Sequence, residues 1–222
     1  MSTLIIPCLG RKIINEKPQY LNRHPNGKLL IERSIEGVFN EDHQKVLIVL
    51  LESDVIEYKA KDIILSELKN YPIEIVTLEK MTQGPAETVF ETIKKAQLSG
   101  AIVVKDSDNY LKTQTAPNGN FVAGLDLNEW EHDVQNLKSK SFLIVNEQGN
   151  LLDIIEKKIC SDVVCLGLYG FNKAEDFVRS YKHLSNSNYP ISRLYLSHVI
   201  SYLIGYYGRV FYCATTSEYE NF

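Results

Sequence analysis

The 222-residue chain contains no apolar run approaching the ~20 residues that a membrane-spanning helix needs. Its first ten residues, MSTLIIPCLG, lack the positively charged start and long apolar stretch of a secretory signal, and enter a strand-like run at once. Cysteine is scarce. Cys8, Cys160, Cys165 and Cys213 are scattered without zinc-ligand spacing, which suits reduced core residues of a cytoplasmic protein. Positive charge is not in excess either: with a formal net charge of −4, nothing suggests a broad nucleic-acid surface. The five histidines, His24, His43, His132, His183 and His198, form no ligand cluster, and no Ser/His/Asp or Cys/His constellation is visible. Internal repeats, low-complexity tracts and Pro/Ser-rich linkers are also missing. What remains is 44% hydrophobic and 23% charged, enough to bury a substantial core in one compact unit.

Apolar strand-like runs at 3–9, 45–51, 73–78 and 101–105 alternate with helical spacing at 29–39, 55–68 and 84–97. Strands buried on both faces read as continuous Val/Ile/Leu runs. The alternation therefore predicts a mainly parallel sheet with crossover helices. The second half has shorter strand candidates at 121–127, 141–158 (with a turn at 147–150) and 163–171. Helices are expected at 174–184 and 195–208, and a late strand at 209–215. The expected class is α/β: a Rossmann-like mixed, mainly parallel sheet flanked by helices.

Four elements at the carboxyl edge of such a sheet can carry chemistry. The loop after the first strand, CLGRKIINEK, offers Gly10 for close backbone approach to a phosphate and positive charge at Arg11, Lys12 and Lys17; an ordinary basic surface loop reads the same way. In MTQGPAETV, Gly84 precedes a helix start and Gln83 can both donate to and accept from a planar base; a plain helix cap at Thr82 is the alternative. In AIVVKDSDNY, Asp106 and Asp108 flank one residue and suit a hard divalent cation, or simply a turn. In DIIEKK, Glu156 and Lys157 can grip a hydroxylated, phosphorylated acceptor, or form a surface ion pair of little energetic worth.

The order of these segments, followed by CLGLYGF, resembles the sugar-nucleotide (nucleoside-triphosphate) nucleotidyltransferases, in particular the short capsule-biosynthesis members. Among those, the cytidylyltransferases acting on phosphocholine, phosphoglutamine or a sugar phosphate look closest. The resemblance runs from residue 3 to the last residue, with TQGPAETV and DSDNY its most specific parts. It implies a single domain over 1–222, with a nucleotide-binding half at 1–112 and an acceptor-binding half at 113–222. It also implies that Leu9, Gly10, Gln83, Gly84 and Asp106 meet the nucleotide and that Glu156 and Lys157 meet the acceptor. Asp108 would hold Mg²⁺, and Arg11, Lys12 and Lys17 would be the catalytic cations. The expected partners are a nucleoside triphosphate, CTP favoured over UTP and dTTP, and a small phosphorylated acceptor, with no nucleic acid or membrane and with homo-oligomerisation open.

Three departures from the family pattern stand out. Gly10 is a single glycine followed directly by Arg11, Pro18-Gln19 stands where Pro-Lys is expected, and the late acidic motif reads SEYENF. In that motif Glu220 is the candidate second metal ligand, beside Asn221 at the acid's place. The chain stops at Phe222, inside the motif, which implies a truncation or an absent tail. A metal-dependent glycosyltransferase and a degenerate nucleotide-binding module are the competing readings.

Overall fold

A computed structural model describes residues 1–10, 13–113, 119–130, 134–187 and 193–222. In chain order the strands and helices are β1 (Ser2–Pro7), β2 (Ile13–Ile14), β3 (Lys17–Pro18), α1 (Leu30–Glu36), β4 (His43–Leu51), α2 (Glu52–Tyr58), α3 (Ala60–Glu67), β5 (Ile73–Leu78), α4 (Pro85–Lys95), β6 (Ala101–Lys105) and β7 (Asn109–Thr113). They continue with β8 (Phe121–Asp126), β9 (Phe142–Val145), β10 (Asn150–Ile155), β11 (Val163–Phe171), α5 (Ala174–Asn186), α6 (Leu196–Tyr207) and β12 (Phe211–Asn221).

Among the described residues, ten strands form one mixed sheet in the order β5-β4-β1-β6-β11-β8-β12-β10-β9, with β7 paired to β12. The first four are parallel. β11 enters antiparallel beside β6, and β12 runs parallel to β8 but antiparallel to β7. The expected mixed sheet with a parallel core and flanking helices is therefore the architecture seen. Alternation along β1 shows why its sequence is apolar throughout: Leu4 and Ile6 pack with Ile31, Ile35 and Ile64 of α1 and α3, while Ile5 packs on the opposite face with Val89 and Ile93 of α4. No described helix is long and apolar enough to cross a membrane.

Two local features differ from the sequence expectations. The helix expected over 55–68 is two short helices, because Lys59 takes a left-handed φ of 52° and ends α2 by donating its N–H to the Asp54 carbonyl. The stretch after the paired acids is a strand, β7, and β12 runs on to Asn221 to pair with it. In the paired stretch the buried Leu111 is flanked by polar pairings (Lys112 with Glu218, Tyr110 with Glu218), so neither segment carries the apolar run that marks a strand buried on both faces.

Candidate active site

β1 and β6 lie side by side and parallel, so the loops leaving their carboxyl ends open on the same edge of the sheet. A cleft of about 810 Å³ lies there. Leu9 and Gly10 after β1, Gln83 and Gly84 before α4, Asp106 and Asp108 after β6, and Glu156 after β10 all line it.

Each glycine has a separate reason. A Cβ at Gly10 would meet nothing within 4 Å, so the fold does not require glycine there, and the backbone faces open space. A Cβ on Gly84 would come within 2.7 Å of the Leu194 carbonyl oxygen and 2.9 Å of Arg193 Cγ; the missing side chain lets the 81–85 loop close on the segment that carries Arg193 and Tyr195. Gly84, not Thr82, is the N-cap of α4, with Pro85 in its first turn. The Glu87 carboxylate accepts the Gln83 N–H, which leaves the Gln83 side chain exposed in the cleft wall.

The acids are held by a residue that the sequence reading passed over. Lys105 is fully buried, and its ammonium donates to the Asp106 carbonyl (2.6 Å), the Asn109 carbonyl (2.8 Å) and Asn109 Oδ1 (2.8 Å). Its three donors thus brace the turn that presents Asp106 and Asp108. The signal in the sequence was a lysine closing an apolar run. On the far side of the turn, the Asp106 N–H donates to the Gly167 carbonyl at 2.8 Å. Gly167 has φ +77°, and a Cβ there would lie 2.2 Å from Asp106 Oδ2. Gly167→Ala is expected to cost about 2–3 kcal/mol, from left-handed strain plus displacement of Asp106. Urea unfolding checks this, and an unchanged midpoint would show that the contact relaxes without cost.

Burial raises the pKa of the Asp106 carboxyl, with the Asp108 charge adding to the shift and Lys105 opposing it. Burial lowers the pKa of Lys105, with Asp106 and Asp108 opposing. Asp108 itself is exposed to the cleft. Two mutually repelling carboxylates beside open volume are the kind of donor set that suits Mg²⁺, which takes one or two carboxylates and completes its shell with water or phosphate oxygens. Among the described residues no group of three or more His, Cys, Asp or Glu is arranged as a metal cage, so these residues fit Mg²⁺ better than a structural zinc. Cys165 also lines the cleft, and burial pushes its thiol up to about 12, which favours the protonated form over the thiolate.

Glu156 is oriented by two serines far from it in sequence. Ser141 Oγ (2.6 Å) and Ser197 Oγ (2.5 Å) both donate to Oε2, and Oε1 lies 3.9 Å from Lys157 Nζ. Lys157 ends the β10 segment with φ +53°. Its ammonium lies 4.1 Å from the centroid of the Tyr195 ring and donates to the Tyr195 hydroxyl, so it backs the cleft wall rather than lining it.

Two residues expected at the site lie apart from the cleft. Glu220 does not reach Asp108: its carboxylate pairs with His24 Nε2 at 2.8 Å and with Arg33 at 3.5 Å. Side chains alternate across a strand, and in the β12–β7 register it is Asn221, opposite Asn109, that lines the cleft. Lys17 lines a neighbouring pocket together with Glu220, beyond Gln19 and Phe222. Arg11 and Lys12 lie outside the described residues. Among the described residues of the cleft wall, the positive charges are Lys140 and Arg193, neither of which the sequence motifs indicated.

Among solved structures the chain is similar to the nucleoside-diphosphate-sugar pyrophosphorylase from Vibrio cholerae RC9, with 18% identity and a TM-score of 0.74 over 96% of this chain and 91% of that one. It is also similar to the inositol-1-phosphate CTP transferase from T. maritima, with 14% identity and a TM-score of 0.74 over 100% of this chain and 89% of that one. By sequence it matches no family model and no curated protein. At these identities the likeness is one of fold, and it extends over essentially the whole chain: the Rossmann-like mixed α/β sheet of two proteins named for nucleotide-sugar and nucleotidyl chemistry.

Proposed function

We propose that the protein is a Mg²⁺-dependent nucleotidyltransferase that moves a nucleoside monophosphate, CMP favoured, from a nucleoside triphosphate to a small phosphorylated acceptor. The observation that carries this reading is the convergence of Gly10, Gln83-Gly84, Asp106/Asp108 and Glu156 on one cleft at the carboxyl edge of the parallel strands. The acceptor is a sugar phosphate, phosphoglutamine or a similar compound, and the setting is capsule or surface-polysaccharide synthesis in the cytoplasm. The T. maritima neighbour is named as an inositol-1-phosphate CTP transferase, which supports ranking CTP first.

An oxygen of the acceptor phosphate, already ionised at neutral pH, attacks the α-phosphorus. The bond from that phosphorus to the β-phosphate oxygen breaks, and pyrophosphate leaves with the electron pair. No general base is required. The open backbone at Gly10 admits the phosphates, the exposed Gln83 side chain addresses the base, and Glu156, fixed by Ser141 and Ser197, orients acceptor hydroxyls. Asp108, with Asp106 beside it, would hold Mg²⁺, which supplies charge neutralisation on phosphate oxygens. Arg11 and Lys12, which follow Gly10 in the sequence, would add to that neutralisation.

Asn221 in the cleft and Gln19 in place of a lysine favour a second reading, a nucleotide-binding module without turnover. A thermal-shift panel of CTP, UTP, dTTP, GTP and ATP with and without Mg²⁺, alongside CDP- and UDP-sugars, tests the assignment. CTP with Mg²⁺ is expected to raise Tm by several degrees, on the order of 3 kcal/mol at a hundredfold excess over Kd, and pyrophosphate release should follow when acceptors are added. Stabilisation by nucleotide sugars alone would move the assignment to a glycosyltransferase. Triphosphate binding without pyrophosphate release from any acceptor would move it to the binding module.

A further inference from the structure

Lys140 is half-buried and faces the cleft, yet among the described residues it has no carboxylate within ion-pair distance. Its ammonium donates to the Tyr219 hydroxyl at 2.8 Å. That hydroxyl is turned by a second partner, Asn221 Oδ1 at 3.2 Å, so Tyr219 accepts from Lys140 and donates to Asn221. Tyr219 and Asn221 share one face of β12, which brings Asn221 to the cleft and Tyr219 against Lys140, while Glu218 and Glu220 bind Tyr110, Lys112 and His24 elsewhere. An ammonium partly removed from water with one neutral hydrogen-bond partner is under-compensated, and an arriving anion would satisfy its remaining donors. Its position matches such a role, because it lines the same cleft as Asp106 and Asp108, and Asn221, at the far end of its hydrogen-bond chain, pairs with Asn109 beside Asp108. The other cation among the described residues of the cleft wall, Arg193, lies instead 5.1 Å from the Tyr195 ring, at the Glu156–Lys157 end. Gln19 brings no charge, and its amide is already committed to the Phe222 carbonyl at 2.9 Å.

We propose that Lys140, aimed by Tyr219 and Asn221, is the cation that receives phosphate oxygens at the Asp106/Asp108 end of the cleft. It takes the place of the charge that position 19 does not supply, and the inference rests on the nucleotidyl-transfer reading for its ligand. Tyr219 is a positioning residue in this arrangement.

Inorganic tripolyphosphate with Mg²⁺ is the probe, titrated calorimetrically into the wild-type chain and into Lys140→Met, Lys140→Gln, Lys140→Arg and Tyr219→Phe. Loss of one charge-assisted contact should weaken binding about 10-fold or more in Lys140→Met and Lys140→Gln, while Lys140→Arg stays within about threefold of wild type. Tyr219→Phe should weaken binding by a few-fold and raise the KM for the triphosphate while leaving kcat nearly unchanged. Affinity within about twofold of wild type in both folded neutral variants would overturn the proposal, as would a wild-type chain that does not bind the probe. Probe binding that depends on Lys140, with no pyrophosphate release from any triphosphate and acceptor, would leave the assignment standing and remove the transferase reading instead.

Discussion

Asp108→Ala is expected to lower Mg²⁺-dependent pyrophosphate release by about a thousandfold while leaving the protein folded. The carboxylate is exposed to the cleft, and among the described residues its one side-chain hydrogen bond, from Asn109 Nδ2, is long at 3.3 Å. The turn is held elsewhere. The Asp108 carbonyl accepts the Phe222 N–H at 3.0 Å, a backbone contact that alanine keeps, and Lys105 and Gly167 brace Asp106 and Asn109. Removing the Asp108 charge also relieves Asp106. Folded Asp106 has a raised pKa, so it keeps its proton to higher pH than an unfolded aspartate, and the folded state loses stability as pH rises through that raised value. With Asp108 gone this loss shrinks, so above neutral pH the variant should melt at or slightly above the wild-type temperature. Melting curves at pH 6 to 9, run beside turnover, separate the two effects. Wild-type turnover in a folded Asp108→Ala would withdraw the metal assignment.

Lys105→Met is expected to show the opposite pattern, with a large loss of stability from a change that touches no ligand. Methionine fills much of the lysine's volume, so packing changes little. The loss is electrostatic: two backbone carbonyls and Asn109 Oδ1 lose their donor inside the protein, and Asp106 loses the nearby positive charge that opposes its neutralisation. Removing one member of such a buried set costs about 3–5 kcal/mol, a fall in Tm on the order of 10 °C for a chain of this size. Lys105→Arg should not rescue it, because a planar fork cannot reach three acceptors arranged around a point charge. Urea unfolding of the two variants against wild type gives the answer. A cost below about 1 kcal/mol for Lys105→Met would mean that water replaces the ammonium and that the brace has no energetic weight.

The sequence by itself determined the parallel half of the sheet. Strands covered on both faces must be apolar at every position, so residues 45–51, 73–78 and 101–105 announce themselves without partners. It also determined the segments that meet in the cleft, because Gly10, Gln83-Gly84, Asp106/Asp108 and Glu156 each follow or precede such an element. Register was left to the tertiary structure. Whether Glu220 or Asn221 faces the cleft is a question of strand parity, and only the pairing of β12 with β7 answers it. Long-range partners were likewise decided by tertiary contact. Ser141 and Ser197 reach one oxygen of Glu156 from separate elements, and Tyr219 reaches Lys140 across 79 positions. Local sequence carries periodicity and turn chemistry; a buried polar group finds its partner in space, and the cost of leaving it without one decides where the chain must bring them together.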